Sequence, residues 1–487
     1  MSSRPARLAT SAGACFALLA SAGGLSWVWA DEPAAVDPLG EQTAGPATVP
    51  AVGKNAFSFP FANLEDDERQ RFAVGNSFFR RNWVEAPSST AARDGLGPHF
   101  IARSCGGCHD QDGRGAPPDR NEQPIGLLIR LSVPVKGSDP LATAPEPTYG
   151  DQFNNRAADG VQPEGQVRIH HTPVRGRFAD GTPYTLQAPR YELTNLAYGP
   201  LQKGTLMSPR VAPQLPGVGL LDAIAEGDIL ANAEAQARAH AEAGGAIRGQ
   251  VNRVRDVYSG ETRIGRFGWK ANVPTLVHQT AGAFQGDMGI TSHWFPDEAC
   301  TPKQKDCLAS PRGGPQSEKG KGPEIDDTTL ANVVFYESTL APAARRGARE
   351  PEVLQGQQLF SAAQCAVCHR PSYVTAQAPF LALSSPKVAG VKIWPYTDLL
   401  LHDMGEALAD HRPDGQANGR QWKTPALWGT GLVRDVNGHE RLLHDGRANG
   451  VLEAVLWHGG EAEGAKQQVL KMSAAERSAL VKFVESL

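Results

Sequence analysis

Two short runs in this chain have residue types and spacing that can do chemistry. They are Cys105-Gly106-Gly107-Cys108-His109 and Cys365-Ala366-Val367-Cys368-His369. In each, two thiols on one turn can add to the two vinyl groups of a haem, and the next residue can place its imidazole on the iron. With this composition, one such five-residue run arises by chance only ~0.003 times per chain. A thioredoxin-like dithiol needs a βαβ context that the pattern lacks, and paired zinc ligands lie closer in sequence than these two runs. The reading is two covalently attached haem c groups, bound through Cys105, Cys108, Cys365 and Cys368, with His109 and His369 as axial iron ligands. Cys300 and Cys307 close a short loop, where a disulfide is the default in an oxidising compartment and a reactive dithiol is the alternative.

Each proximal histidine leaves one axial position on its iron. A His or Met there makes an electron shuttle, whereas an open position can bind peroxide. His458 follows Val451 and Val455 at helical spacing, just before Gly459-Gly460, and is the leading distal ligand of the second haem. Met404, in His402-Asp403-Met404-Gly405, is its rival. His402 and His444 could support the ligands or bind propionates, with Arg447. His99, His170, His171, His278 and His293 have no spacing argument. Peroxide cleavage needs a group that moves a proton and stabilises the leaving hydroxide, for which Gln285 and Asp287 are the candidates. Trp83, Trp269 and Trp394 could carry electrons between haems, although large aromatics more often fill cores.

The elements that must position these residues are less regular. The chain has 487 residues, 48 basic and 52 acidic, so bulk charge gives no attraction to nucleic acid. Residues 1–30 read as a secretory signal: Arg4 and Arg7, an apolar stretch, then Val28-Trp29-Ala30 before Asp31-Glu32. No other stretch is apolar enough to span a membrane, so the mature protein is expected in the periplasm. Residues 31–60 read as a linker or wrapping arm. An N-terminal haem domain is expected over 61–345, with a loop-rich insertion at about 116–260, and a C-terminal haem domain over 346–487. Asp180-Gly181, between short alternating runs, predicts a small β element in the insertion. A helix leads into each Cys pair, and a Ser473–Glu476 capping box opens the last helix. The fold expected is mainly α, as a duplicated module.

Further runs carry a resemblance. They are Asp94-Gly-Leu-Gly-Pro-His-Phe100, Asp112-Gly-Arg-Gly115, Gly265-Arg-Phe-Gly-Trp-Lys270 and Gly286-Asp-Met-Gly-Ile-Thr291. With them go Pro395 to Gly405, Leu443-His-Asp-Gly-Arg447 and Leu456-Trp-His-Gly-Gly-Glu461. As a set they resemble the peroxidase-like di-haem oxidoreductase family, over most of residues 60–487. That family is related more distantly to bacterial di-haem cytochrome c peroxidases, which implies two cytochrome c-like domains. The related peroxidases place a Met ligand at a helix end comparable to that of His458. One departure is the Gly-rich stretch Ala237 to Gly245, whose single acid argues against a divalent metal there. By this analogy the protein is a periplasmic oxidoreductase reducing a small oxidant such as hydrogen peroxide. A small donor, of cytochrome c or cupredoxin type, would feed the haem on His369, and the haem on His109 would bind substrate. The alternatives are a non-catalytic electron-transfer cytochrome and a di-haem oxidase of a protein or organic substrate.

Overall fold

The helices that frame or brace the two motifs are α1 (Asp66–Arg80), α2 (Glu226–Ala243), α3 (Leu276–Met288), α4 (Asp327–Ser338), α5 (Pro351–Ala362), α6 (Val451–Trp457) and α7 (Ala474–Ser486). The computed structural model describes residues 40–90, 92–118, 122–137, 139–314 and 322–487. The expected signal, residues 1–30, lies outside them. Helix α1 starts at a capping box between Glu65 and Glu68, carries three acids in its first turn and ends at Arg80. Both signs suit the helix dipole. Its buried stripe is Phe72, Gly75 and Phe79. Helix α5 repeats the device with Pro351 in its first turn and Val353, Gly356 and Phe360 buried. Each of these helices crosses a partner at its glycine. A Cβ at Gly75 would stand 2.1 Å from the Asn332 carbonyl oxygen on α4, and one at Gly356 1.9 Å from that of Ala479 on α7. Gly356→Leu must therefore push α5 off α7. The expected cost is about 1–3 kcal/mol, read as a lowered urea midpoint of the holoprotein.

The expectation of a mainly α fold needs correction: the described residues are 33% helix and 19% strand, with many small sheets. Much of the strand lies where loops were expected. Strand β1 (Leu127–Pro134) pairs antiparallel with β2 (Gln152–Phe153), while β3 (Gln166–Arg177) and β4 (Pro183–Thr194) form a separate hairpin, and β5 (Leu206–Val211) lies along β1. The Asp180-Gly181 turn closes that hairpin, with Gly181 at φ +86°, but its arms run twelve residues each. Prolines hid these strands. In a two-stranded ribbon every strand is an edge, so Pro173 and Pro189 can sit where their missing N–H would have faced solvent.

The largest apolar cluster takes residues from both sides of position 345. Phe79, Trp83, Phe284 and Phe335 pack in the same core as Tyr373, Ile393, Leu400 and Trp428. Phe360, Tyr396 and Phe483 centre a second cluster at the α5–α7 crossing. Residues 40–60 are packed too, with Ala44, Ala47, Ala56 and Phe57 buried.

Candidate functional site

The second motif is a single helical turn, Cys365–Cys368, entered through Gln364 in the left-handed region. Phe360, one turn past the α5 crossing glycine, packs against the His369 ring at 6.2 Å. The Nδ1 of His369 lies 3.0 Å from the Tyr396 carbonyl oxygen. A carbonyl only accepts, so the proton sits on Nδ1 and the Nε2 lone pair is left for a metal. His458 caps the end of α6, and its Nδ1 lies 2.6 Å from the Ala454 carbonyl, which fixes its tautomer in the same way. Both imidazoles line one mainly apolar cavity with Phe360, Leu427, Val451 and Val455. Removal from water holds His369 at a pKa of about 4 and lowers that of His458, so both are in the neutral, ligating form. Met404 also reaches this cavity, from a cluster around Trp422 and Trp457.

His402 has another task. Its Nε2 lies 2.9 Å from Asp398 and its Nδ1 2.7 Å from Glu461, with the Gln236 amide donating to Asp398 at 2.8 Å. Burial opposes its charge, but Asp398, Cys368 and Glu461 together outweigh burial and hold its pKa well above the usual range. Cys368 and Asp398 converge on His402 closely enough to suggest a metal cluster, yet both imidazole nitrogens already face carboxylates. His444 stacks on Trp422 at 3.7 Å in the cavity wall. Arg447 instead pairs with Asp445. Sequence reasoning missed Arg114, five residues after His109, which lines the second cavity and gives its Nε–H to the Arg441 carbonyl at 2.7 Å. The signal was there, in Asp112-Gly-Arg-Gly115.

The first motif repeats the proximal arrangement. His109 Nδ1 lies 2.8 Å from the Pro213 carbonyl oxygen, and Phe79 packs on its ring at 6.3 Å. The remaining surroundings differ. Helix α3 presents Thr280 and Asp287, seven residues apart and so on one face. The Asp287 carboxyl stands near enough to Cys108 and His109 to act on both electrostatically. It accepts from the Gln152 amide at 3.0 Å and lies within the field of Arg130, whose guanidinium pairs with Asp151 at 2.8 Å. Burial raises its pKa, and Arg130 and Gln152 oppose that rise. Arg130 and Gln152 are cross-strand partners on β1 and β2, on one sheet face with Ser208. Gln285 does not join this group: its amide reaches the Asp297 carbonyl at 3.0 Å.

Glu337, 8% exposed, stands beside Cys105 and accepts from Thr280 at 2.5 Å. Burial raises its pKa to about 7. The folded state therefore binds a proton that the unfolded state has released, across the window from the ordinary glutamate value up to about 7. Its contribution is present in acid and lost as pH rises through that window. Glu337→Gln should flatten the fall in melting temperature between pH 5 and 8, measured by circular dichroism.

The other sequence candidates lie apart. His99 faces the Gln162 carbonyl and Tyr198, His278 faces Asp256, His293 packs on Trp294, and His170 and His171 are exposed on β3. Trp83 packs edge-on to Phe284 and Trp394 is half-buried, whereas Trp269 lines the second cavity with Arg114 over its ring. Cys300 and Cys307 are disulfide-bonded, while the four motif cysteines are free thiols. Free, desolvated thiols beside a carbonyl-oriented imidazole fit haem at both motifs.

A family model described as "Di-haem oxidoreductase, putative peroxidase" matches residues 40–130 and 161–487. The chain belongs to the di-haem oxidoreductase family. Both motifs, α3 and His458 fall inside the match, and two haem groups and an oxidoreductase role follow from the family. Gln152 falls in the unmatched stretch, so this part of the first site lies outside the family pattern. Among curated proteins and among solved structures, none matches the chain.

Proposed function

We propose that this di-haem oxidoreductase is an exported peroxidase with c-type haems. The second site passes electrons and the first reduces peroxide. One observation carries the reading. The second motif faces another neutral imidazole with a free Nε2, whereas the first faces a desolvated carboxyl, an amide and a guanidinium. When bound, each haem would supply a one-electron centre, so two together match the two electrons that, with two protons taken from solvent, reduce hydrogen peroxide to two waters.

The chain's residues supply the rest. His109 and His369 would hold the irons, His458 would close the second axial position, and the cysteines would anchor the porphyrin edges. Asp287 takes a proton from one peroxide oxygen and returns it to the other as the O–O bond breaks. Arg130 stabilises the negative charge on the departing oxygen. Gln152 holds the Asp287 carboxylate in place. A small soluble protein supplies the electrons at the second site. Steady-state turnover of hydrogen peroxide with a reduced cytochrome donor tests the reading. Turnover far above free haem supports it, and turnover no faster than free haem contradicts it.

A further inference from the structure

The hairpin β3–β4 has no part in the chemistry above, yet it is the longest two-stranded element described. Its register is continuous from Gln166↔Thr194 to Arg177↔Pro183. Near its base the inward side chains are Val167, Ile169, Tyr191 and Leu193, packed around Phe153. Near its tip they are Tyr184 and Leu186, packed with Phe178. Cross-strand partners share a face, and these two sets belong to opposite faces. The ribbon therefore coils by about half a turn along its length, as two-stranded ribbons do.

That coil gathers cations on the outside. At the base the outward residues are Arg168, His170 and Arg190 with Glu192, and towards the tip they are Arg175 and Arg177. The Arg190 side chain is 67% exposed. Asp180, at the turn, is drawn inward by Arg477 at 2.8 Å. A chain of net charge −4 thus carries a basic stripe. Twelve residues of strand span about 40 Å, so the stripe is too long to converge on one small anion and suits the face of a folded protein. Beneath it, Tyr191 donates to Asp445 at 3.3 Å, next to His444 in the wall of the second cavity. The ribbon is one strand layer over that wall.

We propose that this stripe docks an acidic redox protein, which delivers one electron at a time to the second site. The inference rests on the electron-passing role proposed for that site. The test uses the holoprotein with two probes: reduced acidic plastocyanin and reduced basic mitochondrial cytochrome c. Binding is measured by calorimetry and electron delivery by stopped flow. Plastocyanin should bind roughly tenfold more weakly when ionic strength is raised from roughly 10 to 200 mM, and should outcompete the basic cytochrome at low salt. The variant R168E/R175E/R177E/R190E should lose plastocyanin binding roughly tenfold and gain affinity for the basic cytochrome. Its haem spectrum and dithionite reduction should not change, which shows that it folds. Equal binding by the variant, a preference for the basic cytochrome in the parent, or retention on heparin without plastocyanin binding would overturn the docking proposal. Plastocyanin binding without electron delivery would overturn the donor role. Loss of docking with peroxide turnover intact on dithionite would leave the reading of the two sites standing.

Discussion

His458→Ala should turn the second site from closed to open, the largest spectroscopic change expected of a single substitution. His369, held by Tyr396 at 3.0 Å, stays in place, and so should the haem. The low-spin signal of one haem of the two should disappear, and that haem should now bind cyanide. Exogenous imidazole should restore the signal, because the lost group is itself an imidazole whose Nδ1 was already engaged by Ala454. Met404→Leu supplies the comparison. Met404 lines the same cavity, but it sits in the cluster around Trp422 and Trp457, and its removal should leave the low-spin signal intact. Loss of the signal in Met404→Leu, with His458→Ala unchanged, would assign the ligand the other way.

Asp287→Asn should reduce kcat for peroxide by ~10²–10⁴-fold, the range that a positioned acid–base group contributes. That loss corresponds to about 3–5 kcal/mol of activation free energy. The substitution keeps the size of the side chain and its hydrogen bonding to Gln152, so both haem spectra should be preserved. Gln285→Ala, two residues away, should leave turnover within about twofold, because its amide reaches Asp297 instead. Equal losses in the two variants would remove Asp287 from the proton path.

The difference between Gln285 and Asp287 shows what the sequence can and cannot convey. Two residues apart on a helix face nearly opposite ways, so once 276–288 is a helix both cannot reach one site. Thr280, seven residues before Asp287, shares its face. The cysteine motifs and their histidines were legible because the chemistry is local: five consecutive residues carry it. The place of His458 at a helix end beside the second motif was legible from helical spacing. Arg130 and Gln152 were not, because strand pairing brings them to the first site from a distant segment. The insertion looked loop-rich because its prolines read as breakers, although edge strands tolerate them. Gly75 and Gly356 look ordinary in sequence, and only the helix crossings show why no side chain fits.

The central claim is that the two sites would hold their haems differently, the second offering a further imidazole to its iron and the first a desolvated carboxyl instead. Electron paramagnetic resonance of the oxidised and half-reduced protein, with and without cyanide, tests it most directly. One low-spin haem that ignores cyanide and one haem that takes up cyanide is the predicted result. Two low-spin haems that both ignore cyanide at both oxidation levels would contradict it.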